Sequence, residues 1–301
     1  MNNSKITMKN ILIIGGGEIG KAVHFILSQK AGVSPLIYDS NPIKATTSLS
    51  LEELTKSSDV IFLCIPSSAV QEIVSQISNG EHHCIIVSLI KGIEPSTQKW
   101  IDEFLELFFP NNVALLSGPM LAEEIMAGFS TKAMCACTND TFKIIKSLFE
   151  NTTLFLEHNE DVRGVAVQGV LKNVYAIGLG VIDALKLGAN YKSVFVVKAL
   201  QEISLLTKHF GGQSDTAYSL SGLGDLIATG YSNYSKNHLV GEELVVNGTC
   251  SIKSEGCLSL PFVIKLIGQD LSHFPLLSMI HRIMHQGAKP IEECEVLLRS
   301  E

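Results

Sequence analysis

Residues 10–14 read Asn-Ile-Leu-Ile-Ile, a short β-branched apolar run of the kind buried on both faces of a parallel sheet. The glycine-rich turn Gly15-Gly16-Gly17-Glu18-Ile19-Gly20 follows, then a helical pattern with Ala22, Val23, Ile26 and Leu27 on one face. A second strand at 35–38 ends at Asp39. Apolar runs at 60–65, 85–89, 113–116 and 133–138 predict further strands, and 67–78, 97–108, 119–127 and 140–149 predict helices. Such alternation implies βαβ units and a doubly wound, mostly parallel sheet.

Near residue 161 the pattern changes. Residues 165–187 form a long, largely apolar, helix-compatible stretch, 193–210 and 261–286 also favour helix, and strand candidates become scarce. The polar stretch His158-Asn159-Glu160-Asp161 places a boundary there. The expected architecture is a Rossmann-like α/β domain over 1–160 followed by an all-α domain over 161–301, with the active site in the cleft between them at the strands' carboxyl ends. There are no internal repeats or low-complexity linkers.

Composition narrows the function classes. At roughly 150 residues per domain, 301 residues suffice for two. Hydrophobic residues at 46% and charged residues at 18% exclude a disordered chain. The formal charge of −7 argues against nucleic-acid binding by phosphate neutralisation, yet leaves room for a small anion held by local positive charge. Seven scattered cysteines without a C-x-x-C pair read as reduced buried thiols. Residues 1–10 lack the apolar core of a signal peptide, and no run of about 18 uninterrupted apolar residues occurs. A cytoplasmic protein without membrane insertion is expected.

The spacing Gly15-x-Gly17-x-x-Gly20 between the first strand and first helix is the context a dinucleotide fingerprint requires. Gly15 permits the tight turn, Gly17 lets the backbone approach a pyrophosphate, and Gly20 allows close helix–strand packing. The helix N-terminus then favours the phosphates. Asp39, about 20 residues on, suits the adenosine ribose hydroxyls and repels a 2′-phosphate, and only Lys44 follows within 40–45. NAD is favoured over NADP, which is not excluded. The plainer reading of Asp39 is a turn cap with Ser40-Asn41-Pro42.

Two further segments are chemically loaded. In Leu171-Lys172-Asn173, the lysine is either part of a wet stripe with Gln168 and Tyr175, or a desolvated proton donor in a cleft. Ser221-Gly222-Leu223-Gly224-Asp225, running into Ser235-Lys236-Asn237, is either an anion cradle or an ordinary polar loop.

The order and spacing of several motifs resemble the bacterial-type NAD(P)-dependent sn-glycerol-3-phosphate dehydrogenases nearly end to end. They are the glycine turn, Ser88-Leu89-Ile90-Lys91-Gly92, Ser117-Gly118-Pro119, Leu171-Lys172-Asn173-Val174, Gly188-Ala189-Asn190, Gly222-Leu223-Gly224-Asp225-Leu226 and Ser254-Glu255-Gly256. The resemblance implies hydride transfer between a nicotinamide cofactor and C2 of dihydroxyacetone phosphate, giving sn-glycerol 3-phosphate. It makes Lys172 the acid/base and Lys91 a second cation at the carbonyl, with Asp225 and Thr229 lining the site. Asn173 would orient the substrate, and Ser235, Lys236 and Asn237 would hold its phosphate. Gly118 and Met120 fall at substrate positions. Glu18, Ile19, Ala122 and Glu255 match cofactor contacts, as do Lys91 and Lys236. A homodimer is implied.

This chain departs from the family in three places. Met120 stands where a serine usually offers a hydroxyl, Lys236 where an arginine is preferred, and Lys192 and Lys198 where arginines are commoner. Lysine gives a point charge rather than a bidentate fork. These departures keep two alternatives open: the same hydride chemistry on another hydroxy-acid or acyl-carrier-bound substrate, and a non-catalytic dinucleotide-binding redox sensor. No metal is expected. His281 and His285 have ligand spacing but no third partner, and Cys135 and Cys137 are expected on opposite sides of a strand.

Overall fold

The computed structural model describes residues 10–78, 84–232 and 234–299; the polar segment 1–9, read for a signal peptide, lies outside them. The chain divides into two compact units, Met1–Ile90 with Glu94–Val162, and Lys91–Ile93 with Arg163–Glu301.

The first unit runs β1 (Ile11–Ile14), α1 (Glu18–Ser28), β2 (Leu36–Tyr38), α2 (Leu51–Ser57), β3 (Val60–Leu63), α3 (Val70–Ile77) and β4 (Ile85–Ser88). The short strands β5 (Ile93–Glu94) and β6 (Lys99–Trp100) precede α4 (Ile101–Glu106), β7 (Val113–Ser117), α5 (Ala122–Met126), β8 (Thr131–Ala136), α6 (Asn139–Phe149) and β9 (Leu154–Asn159). Seven strands form one sheet in the order β2-β1-β3-β4-β7-β8-β9. Neighbours are parallel except at the β7–β8 pair. Every residue of β1, β3 and β4 is buried, as continuous apolar runs require in a sheet covered on both faces. On one face Ile13, Phe62, Val87 and Leu116 pack with Val23 and Ile26 of α1 and Ile145 and Leu148 of α6.

Helix α2 and the short strands β5 and β6 are absent from the sequence expectation, and two further elements differ from it. The helix predicted over 97–108 begins only at Ile101, because the Glu94 carboxylate gathers the N–H and hydroxyl groups of Ser96 and Thr97 into a turn. Strand β9 was not anticipated. It alternates Leu154, Leu156 and His158 with Phe155, Glu157 and Asn159 at a sheet edge, so its polar end reads as a junction although His158 and Asn159 are its last residues.

The second unit contains α7 (Val162–Ala184), α8 (Gly188–His209), α9 (Asp225–Gly230), α10 (Lys236–Asn247), α11 (Glu255–Ile267), α12 (Pro275–His285) and α13 (Pro290–Arg299). Among the described residues, α7 is the one helix long and apolar enough to cross a membrane, and its apolar stretch is wholly buried within the fold. It is the central helix of the unit. At Gly180 and Gly241, α7 and α10 approach so closely that a Cβ would lie 1.9 Å from the His238 oxygen and 2.0 Å from the Ile177 oxygen, respectively. The helix expected over 261–286 is split in two: α11 ends at Gly268, where φ is +61°, and Pro275 opens α12. Glu202 of α8, buried, accepts from Tyr175 Oη and from the Leu276 and Leu277 N–H groups, which satisfies the first turn of α12. Burial pushes this carboxyl above its ordinary range.

Candidate active site

In the first unit, a cradle lies where the chain leaves β1. Gly15 has φ +105°, and a Cβ on it would sit 2.4 Å from the Cys64 oxygen at the end of β3. A Cβ on Gly20 would sit 1.8 Å from the Gly15 oxygen, so only glycine lets α1 pack against the turn. A Cβ on Gly17, by contrast, would meet no atom within 4 Å. That open position lies beside the N-terminus of α1, which carries no side-chain cap. Uncapped first-turn N–H groups and the helix dipole suit an anion. Asp39 caps its turn, as the plainer sequence reading has it. Its Oδ1 accepts from the Asn41 N–H at 2.8 Å as a turn cap, and its Oδ2 accepts from the Gly16 N–H at 2.7 Å, fixing a carboxylate beside the glycine turn. Remaining lone pairs are available to ribose hydroxyls. The residues present therefore fit a dinucleotide.

Ile19 and Ala122 pack against the core cluster of this unit, and Glu18 is exposed at the first position of α1. Gly118, at φ +137°, follows β7, and the Thr131 hydroxyl pins the adjoining Pro119 carbonyl at 2.6 Å. Met120, 8% exposed, belongs to the same apolar cluster. Its side chain is core, so in this unit the departure from serine fills volume.

In the second unit a charge cluster surrounds α7. Lys91 Nζ stands 2.5 Å from Asp225 Oδ2, and Lys172 Nζ stands 3.1 Å from Asp225 Oδ1. Lys172 also donates to Thr229 Oγ1 at 2.7 Å, and the Thr229 hydroxyl donates to Asp225 Oδ1 at 3.1 Å. Asp225 opens α9, so Thr229 follows one turn later on the same face. Burial, with Lys91 adding to it, lowers Lys172 to about 8, although Asp225 opposes the shift. Burial alone would raise Asp225, but Lys172 and Lys91 outweigh it and hold the carboxyl below its usual range. Two ammonium groups against one carboxylate leave an excess positive charge in a water-poor site, suited to a developing oxyanion. Gln168, Lys172 and Tyr175 are all buried, so the wet-stripe reading of this helix is set aside.

Asn173 donates through Nδ2 to the Lys91 and Gly169 carbonyls, and its Oδ1 accepts from Asn237 Nδ2 at 2.8 Å. Asn237 in turn accepts from the Gly256 N–H at 3.0 Å, which sequence reading did not single out as part of a site. A lone glycine without periodicity carries little signal. Ser235 caps α10, accepting from the His238 N–H, while Lys236 is exposed at the first helical position. Glu255, half-buried, begins α11. Lys192 is bound to Asp183 at 2.6 Å and lies 4.0 Å above the Tyr231 ring, so it adds no unpaired charge.

Cys135 and Cys137 correct an expectation. Their sulfurs are 3.8 Å apart, because residues two apart on a strand share a face. The His281 and His285 rings are 5.4 Å apart, and among the described residues no group of three or more His, Cys, Asp or Glu side chains could hold a metal ion.

Comparison with known proteins agrees with this geometry. The family model described as NAD-dependent glycerol-3-phosphate dehydrogenase N-terminus matches residues 36–143, and that of the C-terminus matches residues 161–295. The glycine turn lies outside both matches. A glycerol-3-phosphate dehydrogenase (NAD(P)+) of Clostridium botulinum is 32% identical over 258 residues, covering 78% of each chain. One of Synechocystis is 29% identical over 98% of this chain and 95% of its own. The crystal structure of glycerol-3-phosphate dehydrogenase from Coxiella burnetii matches with a TM-score of 0.83 at 25% identity, covering 97% of this chain and 100% of that one. The chain belongs to the NAD-dependent glycerol-3-phosphate dehydrogenase family.

Proposed function

We propose that this protein reduces dihydroxyacetone phosphate to sn-glycerol 3-phosphate with NADH, and that Lys172, Asp225, Thr229 and Lys91 form its reacting centre. The observation that carries the reading is the buried Lys172 ammonium, lowered to about 8 and held between Asp225 and Thr229. A bound nicotinamide supplies the hydride to C2. Lys172 gives its proton to the carbonyl oxygen, and Lys91 stabilises the charge that builds there. Asp225 keeps both lysines in place by taking one on each oxygen. Thr229 occupies one of the three ammonium protons and so limits which proton can reach the substrate. In the oxidative direction Lys172, neutral, takes the proton from the C2 hydroxyl.

Gly15, Gly17, Gly20 and the N-terminus of α1 would hold the pyrophosphate, with Glu18, Ile19, Ala122 and Glu255 lining the cofactor. Asp39 would select NAD. Lys236 and the start of α10 would receive the substrate phosphate, where a helix N-terminus and an ammonium both favour an anion. A homodimer is supported by Val194, Val197 and Leu205, all exposed on α8, and equilibrium sedimentation tests it. A reducing, cytoplasmic setting is supported by seven free cysteines.

NADH absorbance followed with dihydroxyacetone phosphate tests the reaction. Turnover lost with dihydroxyacetone, which lacks the phosphate, supports the reading. Turnover only on other carbonyls replaces the substrate, and cofactor binding without any turnover replaces the enzyme with a sensor.

A further inference from the structure

We propose that Asn237 is a positioning residue for the cofactor, acting through Gly256. The proposal rests on the reading above that Glu255 contacts the cofactor.

Hydrogen-bond chemistry admits one orientation of this buried network. The Gly256 N–H is a donor only, so Asn237 must turn Oδ1 toward it and Nδ2 toward Asn173. Asn173 Nδ2 faces two carbonyls, those of Lys91 and Gly169, which can only accept. Its Oδ1 is therefore the atom that receives Asn237. Both side chains are buried, at 4% and 8% exposure, and each uses its oxygen and its nitrogen on protein partners. These two bonds fix how the Asn237 side chain is turned and leave its second N–H group to serve a ligand.

The packing at Gly256 shows what the amide registers. A Cβ there would lie 2.7 Å from Asn237 Oδ1, 2.8 Å from the Asn173 oxygen and 3.0 Å from Ile177 Cδ1. The first turn of α11 is seated directly on the backbone of α7, one residue past Lys172. Glu255 immediately precedes this contact, and the Ser254 side chain caps the helix from the other side by accepting the Cys257 N–H. With the Asn237 side chain gone, the Gly256 N–H is buried without a partner, and α11 must shift to find one.

The test is NADH binding to the whole protein without substrate, read by fluorescence titration, so that a phosphate contact contributes nothing. Asn237→Ala and Gly256→Ala should each weaken NADH binding on the order of tenfold, comparably to Glu255→Ala, with circular dichroism unchanged. Asn237→Leu, which keeps the volume but offers Gly256 no acceptor, should lose affinity as Asn237→Ala does. If Asn237→Ala leaves NADH affinity intact while Glu255→Ala loses it, the positioning role is overturned and Asn237 is a substrate contact only. Wild-type affinity in Asn237→Leu also overturns it, leaving Asn237 a mere space-filler. Intact affinity in Glu255→Ala as well overturns the placement of Glu255 on the cofactor, and the proposal with it.

Discussion

Around the glycine turn the chain presents backbone: an uncapped helix N-terminus, an open position at Gly17, and a carboxylate held by two N–H groups. Around α7 it presents side chains, two lysines, an aspartate and a threonine drawn from residues 91, 172, 225 and 229. The first offers room, since Gly17 leaves space that a side chain would fill. The second crowds charges out of water and lowers the affinity of Lys172 for its proton. The contrast explains why a substitution of one atom matters most at the turn, and a substitution of one charge matters most at the cluster.

The largest expected effect separates the two. Lys172→Ala should lower kcat for ketone reduction by about 10²- to 10⁴-fold, the range for losing a general acid, while NADH affinity measured by titration stays nearly unchanged. Retained activity would remove Lys172 from its role. The same group sets a pH dependence. Because burial depresses Lys172 to about 8, it is protonated below that value and loses its proton above it. Reduction should therefore hold steady below pH 8 and fall beyond it, whereas oxidation of the alcohol should rise through the same range. A reductive rate that climbs above pH 8 contradicts the assignment.

At the turn, Gly20→Ala should act on the protein itself. Its Cβ would meet the Gly15 oxygen at 1.8 Å, and overpacking of this kind costs about 1–3 kcal/mol, visible as a lower Tm along with weakened NADH binding. Gly17→Ala should act only on the complex, leaving Tm unchanged and weakening NADH on the order of tenfold as the methyl group meets the pyrophosphate. Equal losses of Tm in both variants would erase the distinction. Asp39→Ala should have the smallest effect, raising use of NADPH relative to NADH on the order of tenfold by removing the charge that repels a 2′-phosphate. A wild-type enzyme that already prefers NADPH strongly would break this prediction.

The alternation of apolar runs was enough to place the strands β1, β2, β3, β4, β7 and β8: β1, β3, β4 and β7 are buried throughout and leave unbroken apolar runs, and β2 was marked by its place after the first helix. Strand β9 escaped, since an edge strand with one half-exposed face looks like polar linker. Helix α4 was drawn too long because nothing local announces that the Glu94 carboxylate will gather Ser96 and Thr97. Cys135 and Cys137 were misplaced by a slip in strand periodicity that the sheet corrects.

The tight turn at Gly15 and the close packing at Gly20 followed from spacing alone, because such a turn is local: three glycines within six residues act together, whatever surrounds them. Asp39 follows from its position at the end of β2, and the structure shows its carboxylate capping the turn at Asn41 and holding the Gly16 N–H. The cluster is different in kind. Nothing in the sequence brings Lys91 within 2.5 Å and Lys172 within 3.1 Å of Asp225, and the resemblance named them without supplying the contacts. Whether Lys172 is a solvated stripe or a poised acid depends on how much water is excluded. Burial is a property of the packed fold, so only the tertiary structure could decide it.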